Sequence, residues 1–320
     1  MKPKVYITRR IPNEIVQKLE EVCEIRMWNE EEEPVPREVL EKEITDVDGL
    51  FCLITESIDK ELLERANHLK VVSNMAVGYN NIDIELAKEK GITVTNTPGV
   101  LTETTADLTF ALIMATSRRL IEASDYLKQG NWKTWSTMQL TGQDIYGSTL
   151  GIIGLGRIGE SVARRAKGFD MDVLYYNRSR KPDVEKEYGL NYTDMDTLLK
   201  ESDFVCILTP YSEETKNLIG QRELSLMKNT SILVNTARGG IVDEIALYES
   251  LKSGTIWAAG LDVFEQEPVS LDHPLLALPN VVVLPHIGSA SVKTRMKMAE
   301  LAADNLILAL QSQTPKYVVV

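Results

Sequence analysis

Residues 150–159 read Leu150-Gly151-Ile152-Ile153-Gly154-Leu155-Gly156-Arg157-Ile158-Gly159, and a helical pattern over Glu160–Lys167 follows at once. This is the motif G-x-G-x-x-G between a buried strand and a helix, the setting in which it binds dinucleotides. The first glycine allows a tight turn, the second lets the backbone approach a pyrophosphate, and the third lets helix and strand pack closely. The helix amino end adds N–H donors. The motif predicts a dinucleotide-binding site; the alternative is a glycine-rich turn without a ligand.

Short runs typical of β-strands alternate with helical patterns along the chain, which predicts parallel sheets. The strands predicted before the glycine motif are Lys4–Thr8, Glu24–Trp28, Gly49–Thr55, Leu69–Ser73 and Ile92–Thr95. Six more are predicted at Thr149–Ile153, Asp172–Tyr176, Phe204–Leu208, Ile232–Asn235, Ala258–Val263 and Val281–Leu284. We therefore predict an α/β protein with two doubly wound parallel-sheet domains, a Rossmann domain inserted into a flavodoxin-like domain.

The domain boundaries follow from the first and last helices of the nucleotide-binding series. A final helix, about Ser291–Gln311, comes after the last strand and returns to the first domain. Residues 1–100 and 290–320 then form one domain, and residues 101–289 form the nucleotide-binding domain. One long helix is predicted from Thr102 to Gln129, with Thr104-x-x-Asp107 in the form of a capping box. Its segment Phe110–Ala115 is apolar on every side, which indicates burial or an oligomer contact.

Composition excludes several classes of protein. The 320 residues carry 35 Lys and Arg against 47 Asp and Glu, a formal net charge of −12. This acidic balance argues against nucleic-acid and anionic-membrane partners. Cys23, Cys52 and Cys206 are few and far apart, so we expect no disulfide scaffold and no metal site. The sequence shows no signal-peptide pattern and no apolar stretch of membrane-spanning length, so we expect a soluble, cytoplasmic protein.

The residues after the second strand of the nucleotide-binding domain indicate which dinucleotide is bound. An NAD site usually carries an acidic residue about 20 positions after the first glycine, where it binds the ribose 2′-OH. Here the sequence is Asn177-Arg178-Ser179-Arg180, without an acid. Arginine and hydroxyl groups bind a 2′-phosphate, which a carboxylate would repel. We therefore predict that NADP(H) is preferred over NAD(H), with Asn177, Arg178 and Ser179 as contacts. The alternative is a solvated loop with dual cofactor use.

Three polar residues follow later strands of the same domain: Arg238, Glu267 and His286. Ligands of doubly wound sheets bind at the carboxyl ends of strands, so these three side chains can converge. Hydride transfer to a 2-oxo acid needs a proton at the carbonyl oxygen, and His is the usual donor near neutral pH. A neighbouring carboxylate orients the ring and favours its protonated form. A guanidinium can bind the substrate carboxylate and polarise the carbonyl.

Several sequence blocks, in this order, resemble the D-isomer-specific 2-hydroxyacid dehydrogenases over essentially the whole chain. Within that family the chain is most similar to the glyoxylate/hydroxypyruvate reductases. The blocks are Ala76-Val77-Gly78-Tyr79-Asn80-Asn81-Ile82-Asp83, Asn96-Thr97-Pro98-Gly99-Val100, the glycine motif, Asn235-Thr236-Ala237-Arg238-Gly239-Gly240, Gly260-Leu261-Asp262-Val263-Phe264, Glu267-Pro268 and Pro285-His286-Ile287-Gly288-Ser289.

The resemblance implies a role for each matching position. His286 would be the acid/base, Glu267 its partner and Arg238 the substrate clamp. The discontinuous domain would bind the substrate, whose carboxylate would meet the backbone N–H groups of the loop Met75, Ala76, Val77 and Gly78. That loop is otherwise a simple tight turn.

The resemblance also implies cofactor contacts and an assembly. Asp262 would hold the nicotinamide amide, unless it only caps a turn, and Thr104 would touch the nicotinamide end, unless it only caps its helix. Thr209 and Pro210 would line the adenosine side, where many relatives have His-x-Pro instead. The remaining expected contacts are Thr236, Ala237 and Gly288. The family further implies a homodimer built on the Thr102–Gln129 region. Trp132 and Trp135 would then pack in the interface or the core, with a contact in the substrate pocket as a lesser alternative.

The function expected from these observations is NADPH-dependent reduction of small 2-oxo acids to D-2-hydroxy acids, with glyoxylate and hydroxypyruvate favoured. A 2-ketogluconate (2-keto-aldonate) reductase shares the motifs and is the nearest alternative. A 3-phosphoglycerate dehydrogenase would show an acid near residue 177, and a formate dehydrogenase needs no pair like Glu267 and His286. The alternative from another class is a dinucleotide-sensing corepressor that binds protein partners.

Overall fold

The structure is a computed structural model that describes all 320 residues, and the chain forms two compact units. One unit comprises Met1–Leu101 with Ala290–Val320, and the other comprises Thr102–Ser289. The first unit is therefore discontinuous in sequence. None of the helices combines the length and the apolar character needed to cross a lipid bilayer.

The first unit is built on a five-stranded parallel sheet whose order, β2-β1-β3-β4-β5, is the predicted flavodoxin-like order. Its strands are β1 (Lys4–Ile7), β2 (Glu24–Met27), β3 (Gly49–Cys52), β4 (Val71–Asn74) and β5 (Thr93–Thr95). The helices between them are α1 (Asn13–Glu20), α2 (Arg37–Glu43), α3 (Lys60–Arg65) and α4 (Ile84–Glu89). Alternate residues of β1 enter different buried clusters, Val5 and Ile7 on one face and Tyr6 on the other. Both faces of the sheet are thus covered, as parallel sheets require.

The second unit is built on a seven-stranded parallel sheet, in the order β12-β11-β10-β9-β6-β7-β8. Its strands are β6 (Thr149–Ile153), β7 (Asp172–Tyr176), β8 (Asn191–Tyr192), β9 (Phe204–Ile207), β10 (Ile232–Asn235), β11 (Ala258–Leu261) and β12 (Val281–Val283). Its helices are α5 (Thr102–Ser117), α6 (Leu120–Lys128), α7 (Arg157–Ala166), α8 (Pro182–Tyr188), α9 (Met195–Glu201), α10 (Gln221–Leu226) and α11 (Glu244–Ser253). This is the predicted Rossmann arrangement, in which the strand order reverses beside β6 and creates a ligand crevice there.

The six predicted strands of this sheet are present, and β8 is a seventh that the prediction missed. It has two residues, and both are exposed. It pairs only with β7, through Leu174↔Asn191 and Tyr175↔Tyr192. A strand so short and exposed leaves no apolar pattern in the sequence.

The single helix predicted from Thr102 to Gln129 is wrong, because the chain breaks between α5 and α6. Arg119 adopts a left-handed conformation with φ +52°. The cause lies further along the chain: Gln143 donates its N–H to the carbonyl oxygen of Ser117 at 2.9 Å. A β-carbon at Gly142 would lie 2.0 Å from that same oxygen. A later segment therefore caps α5 at close range.

Helix α5 is buried within its own unit, which explains its apolar run. Phe110, Leu112 and Ile113 belong to the core that also contains residues of β6 and β10. The capping box predicted at Thr104-x-x-Asp107 is wrong, because α5 already begins at Thr102. The Asp107 carboxylate instead accepts a hydrogen bond from the Arg165 guanidinium at 2.6 Å.

The final helix, α12 (Val292–Leu310), belongs to the first unit. The Ser291 side chain caps it by accepting the N–H of Thr294. Ala299, Ala302, Ala303 and Leu306 pack in the same cluster as Val5 and Ile7. The apolar face of α12 thus completes one side of the five-stranded sheet.

Candidate active site

The predicted site residues of the second unit lie along one edge of its sheet. Because the strands are parallel, the loops after their carboxyl ends meet at that edge. In the order of the strands from β12 to β7, the residues that follow them are His286 and Gly288, Asp262 and Glu267, Thr236 to Arg238, Thr209 and Pro210, Gly154 to Gly159, and Asn177 to Ser179. The candidate catalytic groups therefore stand at one end of the edge and the candidate 2′-phosphate contacts at the other.

His286 and Glu267 form a hydrogen-bonded pair. The distance between His286 Nδ1 and Glu267 Oε2 is 2.6 Å, and the second oxygen of Glu267 accepts the N–H of Phe264 at 3.0 Å. Burial raises the pKa of Glu267, but the hydrogen bond and charge of His286, with the Phe264 N–H and Arg238, outweigh it and hold the pKa below its usual value. The pair is suited to proton transfer, with Glu267 ionised and fixing the imidazole ring.

Asp262 holds the loop that carries His286. His286 has φ +52°, a conformation that costs energy for a residue with a β-carbon. The main-chain oxygen of Asp262 accepts the His286 N–H at 2.9 Å, and its carboxylate oxygens accept the N–H groups of Ile287 and Gly288 at 2.8 Å each. Burial raises the pKa of this carboxyl group, partly offset by those two N–H groups and by His286. Asp262 is thus the turn cap that the sequence left as an alternative; its contact with a nicotinamide amide remains a prediction.

Arg238 presents an unsatisfied buried donor. Its Nη1 donates to the Ala237 carbonyl oxygen at 2.7 Å, and its Nε is buried without a partner. Burial lowers the pKa of the guanidinium, while the charge of Glu267 opposes this. The next residue is packed so tightly that a β-carbon at Gly239 would lie 1.8 Å from the Phe264 carbonyl oxygen. The loops that carry Arg238 and Glu267 are therefore in direct contact. The guanidinium of Arg238 still has a donor with which it can bind an anion.

The glycine motif has the shape of a pyrophosphate cradle. Gly154 has φ +100°, and a β-carbon there would lie 2.6 Å from the backbone nitrogen of Thr209. A β-carbon at Gly159 would lie 2.6 Å from the Gly154 carbonyl oxygen, whereas one at Gly156 would point into open space. Helix α7 starts at Arg157, directly after that open position. The first and third glycines thus allow close packing and the second leaves room, as a dinucleotide phosphate requires.

The loop after β7 contains two arginines with different partners. Arg180 is held by Glu185 through two hydrogen bonds of 2.8 Å. Arg178 makes one exposed contact with Glu214, at 3.3 Å. An exposed pair of this kind contributes little stability, so Arg178 is the guanidinium that can turn to another anion.

The remaining predicted cofactor contacts are placed as follows. The buried Thr236 hydroxyl is hydrogen-bonded to that of Thr109 at 2.7 Å. Thr104 lies in the first turn of α5, and a β-carbon at Gly288 would lie 3.5 Å from its neighbour, Thr105. Contacts of Thr236, Thr104 and Gly288 with a dinucleotide remain predictions.

The predicted carboxylate-binding loop, Met75–Gly78, follows β4 in the first unit. Two of the four predicted N–H donors are already used within the unit: Met75 donates to the Cys52 carbonyl oxygen at 2.9 Å, and Ala76 to that of Asn74 at 2.8 Å. The N–H groups of Val77 and Gly78 donate to no group of the unit. The oxygens of Ala76, Val77 and Gly78 accept, in that order, from the Thr97 N–H at 2.8 Å, the Asn96 amide at 2.8 Å and the Asn74 amide at 3.0 Å. Successive backbone N–H groups left free in this way can bind an anion.

Sequence reasoning missed a second His–carboxylate pair in the second unit. Glu244 Oε2 lies 3.1 Å from His273 Nε2, and its Oε1 accepts the N–H of Glu265 at 2.6 Å. The chain has only three His residues, so His273 could have been singled out by its type. Nothing in its local pattern would have paired it with Glu244, which is distant in sequence.

Comparison with known proteins identifies the family. The sequence profile of the D-isomer specific 2-hydroxyacid dehydrogenase NAD binding domain matches residues 110–288. A glyoxylate reductase of Korarchaeum cryptofilum is 52% identical over 316 residues, which cover 98% of this chain and 95% of the relative. A crystal structure of a protein from Thermus thermophilus covers 99% of this chain and 100% of its own, with TM-score 0.92 and 43% identity. The NADPH-dependent glyoxylate/hydroxypyruvate reductase of Sinorhizobium meliloti, in complex with NADP and malonate, gives TM-score 0.87 and 33% identity, with coverage of 100% and 97%. The chain belongs to the D-isomer-specific 2-hydroxyacid dehydrogenases, a family of NAD(P)-dependent oxidoreductases.

Proposed function

We propose that this enzyme reduces glyoxylate to glycolate, and hydroxypyruvate to the D-2-hydroxy acid, and that it prefers NADPH to NADH. The observation that carries the proposal is the His286–Glu267 pair beside Arg238, whose buried Nε has no partner. Proton donor and anion clamp are the two functions that reduction of a 2-oxo acid needs from side chains. Relatives of about 50% identity that bear the name glyoxylate reductase support the choice of substrate.

In this proposal each residue has one task. A nicotinamide cofactor, when bound, would supply the hydride for the carbonyl carbon. His286 gives a proton to the carbonyl oxygen through Nε2, because Nδ1 is engaged by Glu267. Arg238 stabilises the negative charge that develops on that oxygen. The free N–H groups of Val77 and Gly78 bind the substrate carboxylate, so that residues 1–100 and 290–320 act as the substrate-binding domain and residues 101–289 bind the cofactor.

The preference for NADPH rests on the loop after β7. The loop offers Arg178 and Ser179 and no carboxylate at the position where NAD-binding domains usually have one. The bond that Arg178 makes with Glu214 is long and exposed, so its replacement by a 2′-phosphate costs little. Asn177, whose amide donates to the Ser179 carbonyl oxygen at 3.1 Å, shapes the turn between them.

Replacement of Arg178 by Ala tests this assignment. We expect KM for NADPH to rise about 10- to 100-fold, the loss of one charge-assisted hydrogen bond, while KM for NADH changes little. Initial rates at saturating glyoxylate measure both constants. Arg180→Ala is the neighbouring control: it releases Glu185 and should disturb NADPH binding less than Arg178→Ala. If Arg178→Ala raises KM for NADPH and for NADH equally, Arg178 does not contact the 2′-phosphate.

A homodimer is the second part of the proposal, and we infer that α6 and the segment after it, rather than the largely buried α5, form its surface. Helix α6 has no buried residue, and the segment after it exposes large apolar side chains. The exposed residues are Leu120, Ile121, Leu127, Trp132, Trp135, Met138 and Tyr146. So many large exposed apolar side chains within one segment indicate a protein interface, and a second copy of the chain would cover it. Trp132 and Trp135 do not pack in the core of the unit.

A charged substitution should disrupt such a dimer. The Trp135 side chain is 76% exposed, and Trp135→Glu should place a charge in the interface. We expect sedimentation velocity to show dimer for the natural sequence and mainly monomer for Trp135→Glu. Leu271→Glu is the matched control, because Leu271 is 95% exposed outside this stretch. A natural protein that sediments as a monomer would contradict the proposal.

The substrate assignment is tested by initial rates with glyoxylate, hydroxypyruvate and 2-ketogluconate, each with NADPH and with NADH. The proposal predicts the highest kcat/KM for glyoxylate or hydroxypyruvate with NADPH. A higher value for 2-ketogluconate would identify a 2-keto-aldonate reductase instead. A preference for NADH would show that residues 177–180 are not a 2′-phosphate site.

A further inference from the structure

We propose that Glu244, together with His273, is a positioning residue that fixes the catalytic carboxylate Glu267 and, through it, the ring of His286. The inference rests on the proposed function for the role of His286, and on geometry alone for the coupling between the two His–carboxylate pairs. The pair Glu244–His273 contacts Phe264 and Glu265, in the segment that leads to Glu267. It contacts no residue that is predicted to bind substrate or cofactor.

The first link joins Glu244 to the backbone of that segment. Glu244 begins α11, and its side chain is 13% exposed. One oxygen accepts the N–H of Glu265 at 2.6 Å, and the other faces His273 Nε2 at 3.1 Å. Glu265 is two residues before Glu267, so this short bond fixes the approach of the chain to the catalytic carboxylate.

The second link runs from the same segment to the reacting group. The N–H of Phe264 binds one oxygen of Glu267, whose other oxygen holds His286 Nδ1. The ring of Phe264 packs edge-on against His273, with 6.0 Å between centroids. Glu244 therefore holds the backbone of Glu265, and His273 packs against the ring of Phe264. The N–H of Phe264 in turn fixes one carboxylate oxygen of Glu267.

An ordinary helix-capping role does not account for Glu244. Asp243 already caps α11 by accepting the N–H groups of Ile245 and Ala246, each at 3.0 Å. The carboxylate of Glu244 is instead buried against the Glu265 N–H and His273 at some cost, since burial raises the pKa of its carboxyl group against the opposing effects of these two groups. A carboxylate retained under that cost, with both oxygens directed at one loop, serves to hold the loop in place.

Several charged groups surround the two His–carboxylate pairs, and the replacement of Glu244 would act on them. Glu244 faces His273 and the carboxylate of Glu265. Glu267 faces His286 and Arg238, and Asp262 lies near both members of the catalytic pair. If Glu267 moves away, His286 loses the carboxylate that orients its ring for proton transfer.

The experiment compares Glu244→Ala, Glu244→Gln and His273→Ala with Glu249→Ala, an exposed acid on the same helix. We expect Glu244→Ala to lower kcat for glyoxylate about 10- to 100-fold, as a small misplacement of a catalytic group does. The Kd for NADPH should be unchanged, which separates this loss from a loss of cofactor binding. Gln keeps an oxygen for the Glu265 N–H, so Glu244→Gln should recover most of the loss. Glu249→Ala should match the natural protein.

NMR of the His286 ring N–H proton gives a readout that needs no turnover, because this proton reports the hydrogen bond between His286 Nδ1 and Glu267. We expect its signal to change position or broaden in Glu244→Ala and His273→Ala and to stay unchanged in Glu249→Ala. A Glu244→Ala protein that melts earlier but keeps its kcat and its His286 ring signal would overturn the inference. If the natural protein reduces no 2-oxo acid but the ring signal still changes in Glu244→Ala, the proposed function is overturned and the coupling stands.

Discussion

Replacing His286 with Ala is expected to lower kcat for glyoxylate reduction by at least about 10²-fold while NADPH binds almost normally. The reason is that His286 is the one group placed to deliver a proton and held by a carboxylate at 2.6 Å. Stopped-flow measurement of NADPH oxidation gives kcat, and fluorescence titration gives the Kd for NADPH.

His68→Ala is the matched control for this prediction, since His68 is an exposed histidine in the first unit. It should retain full activity at every pH. Glu267→Gln should lie between the two, because the ring keeps a hydrogen-bond acceptor and loses the charge. Turnover of His286→Ala equal to that of the natural protein would contradict the catalytic assignment.

Replacing Arg238 with Ala is expected to lower kcat/KM for glyoxylate about 10²- to 10³-fold, the usual effect of removing one donor that stabilises a developing oxyanion. The guanidinium has a buried Nε without a partner, and its Nη1 donates to the Ala237 carbonyl oxygen. Its remaining donors are therefore available to substrate. Steady-state rates with NADPH at saturation measure the effect.

Arg238→Lys separates charge from geometry. A lysine ammonium keeps the positive charge but cannot make the forked contact of a guanidinium, so it should restore only part of the lost activity. Binding of NADPH should be unaffected in both variants. A fall in NADPH affinity as large as the fall in kcat/KM would place Arg238 in the cofactor site, against the proposal.

The parts of the fold that the sequence predicted correctly are those set by local patterns. The glycine motif stands between a buried strand and a helix, and Gly154 has the positive φ that its turn demands. Parallel strands with apolar residues on both faces leave nearly continuous apolar runs in the sequence, which is why all eleven predicted strands recur among the twelve strands of the two sheets. The edge that gathers Arg238, Glu267 and His286 follows from strand order, which general rules for doubly wound sheets supply.

The features that escaped prediction depend on contacts between distant residues. Helix α5 ends where the Ser117 carbonyl oxygen accepts the N–H of Gln143 and packs closely against Gly142. No residue near Ser117 in the sequence predicts this contact. Glu244 and His273 are likewise distant in sequence and meet only where α11 contacts the loop after β11. Local propensity cannot encode such contacts, because they exist only after the loops have met.

The most direct test of the whole account is the stoichiometry of one reaction with the purified protein. NADPH and glyoxylate are mixed, and NADPH oxidation is compared with glycolate formed, identified by mass spectrometry. The account predicts one glycolate for each NADPH, with activity lost in His286→Ala. Tight NADPH binding without oxidation by glyoxylate, hydroxypyruvate or 2-ketogluconate would contradict it and favour a dinucleotide-sensing, corepressor-type protein.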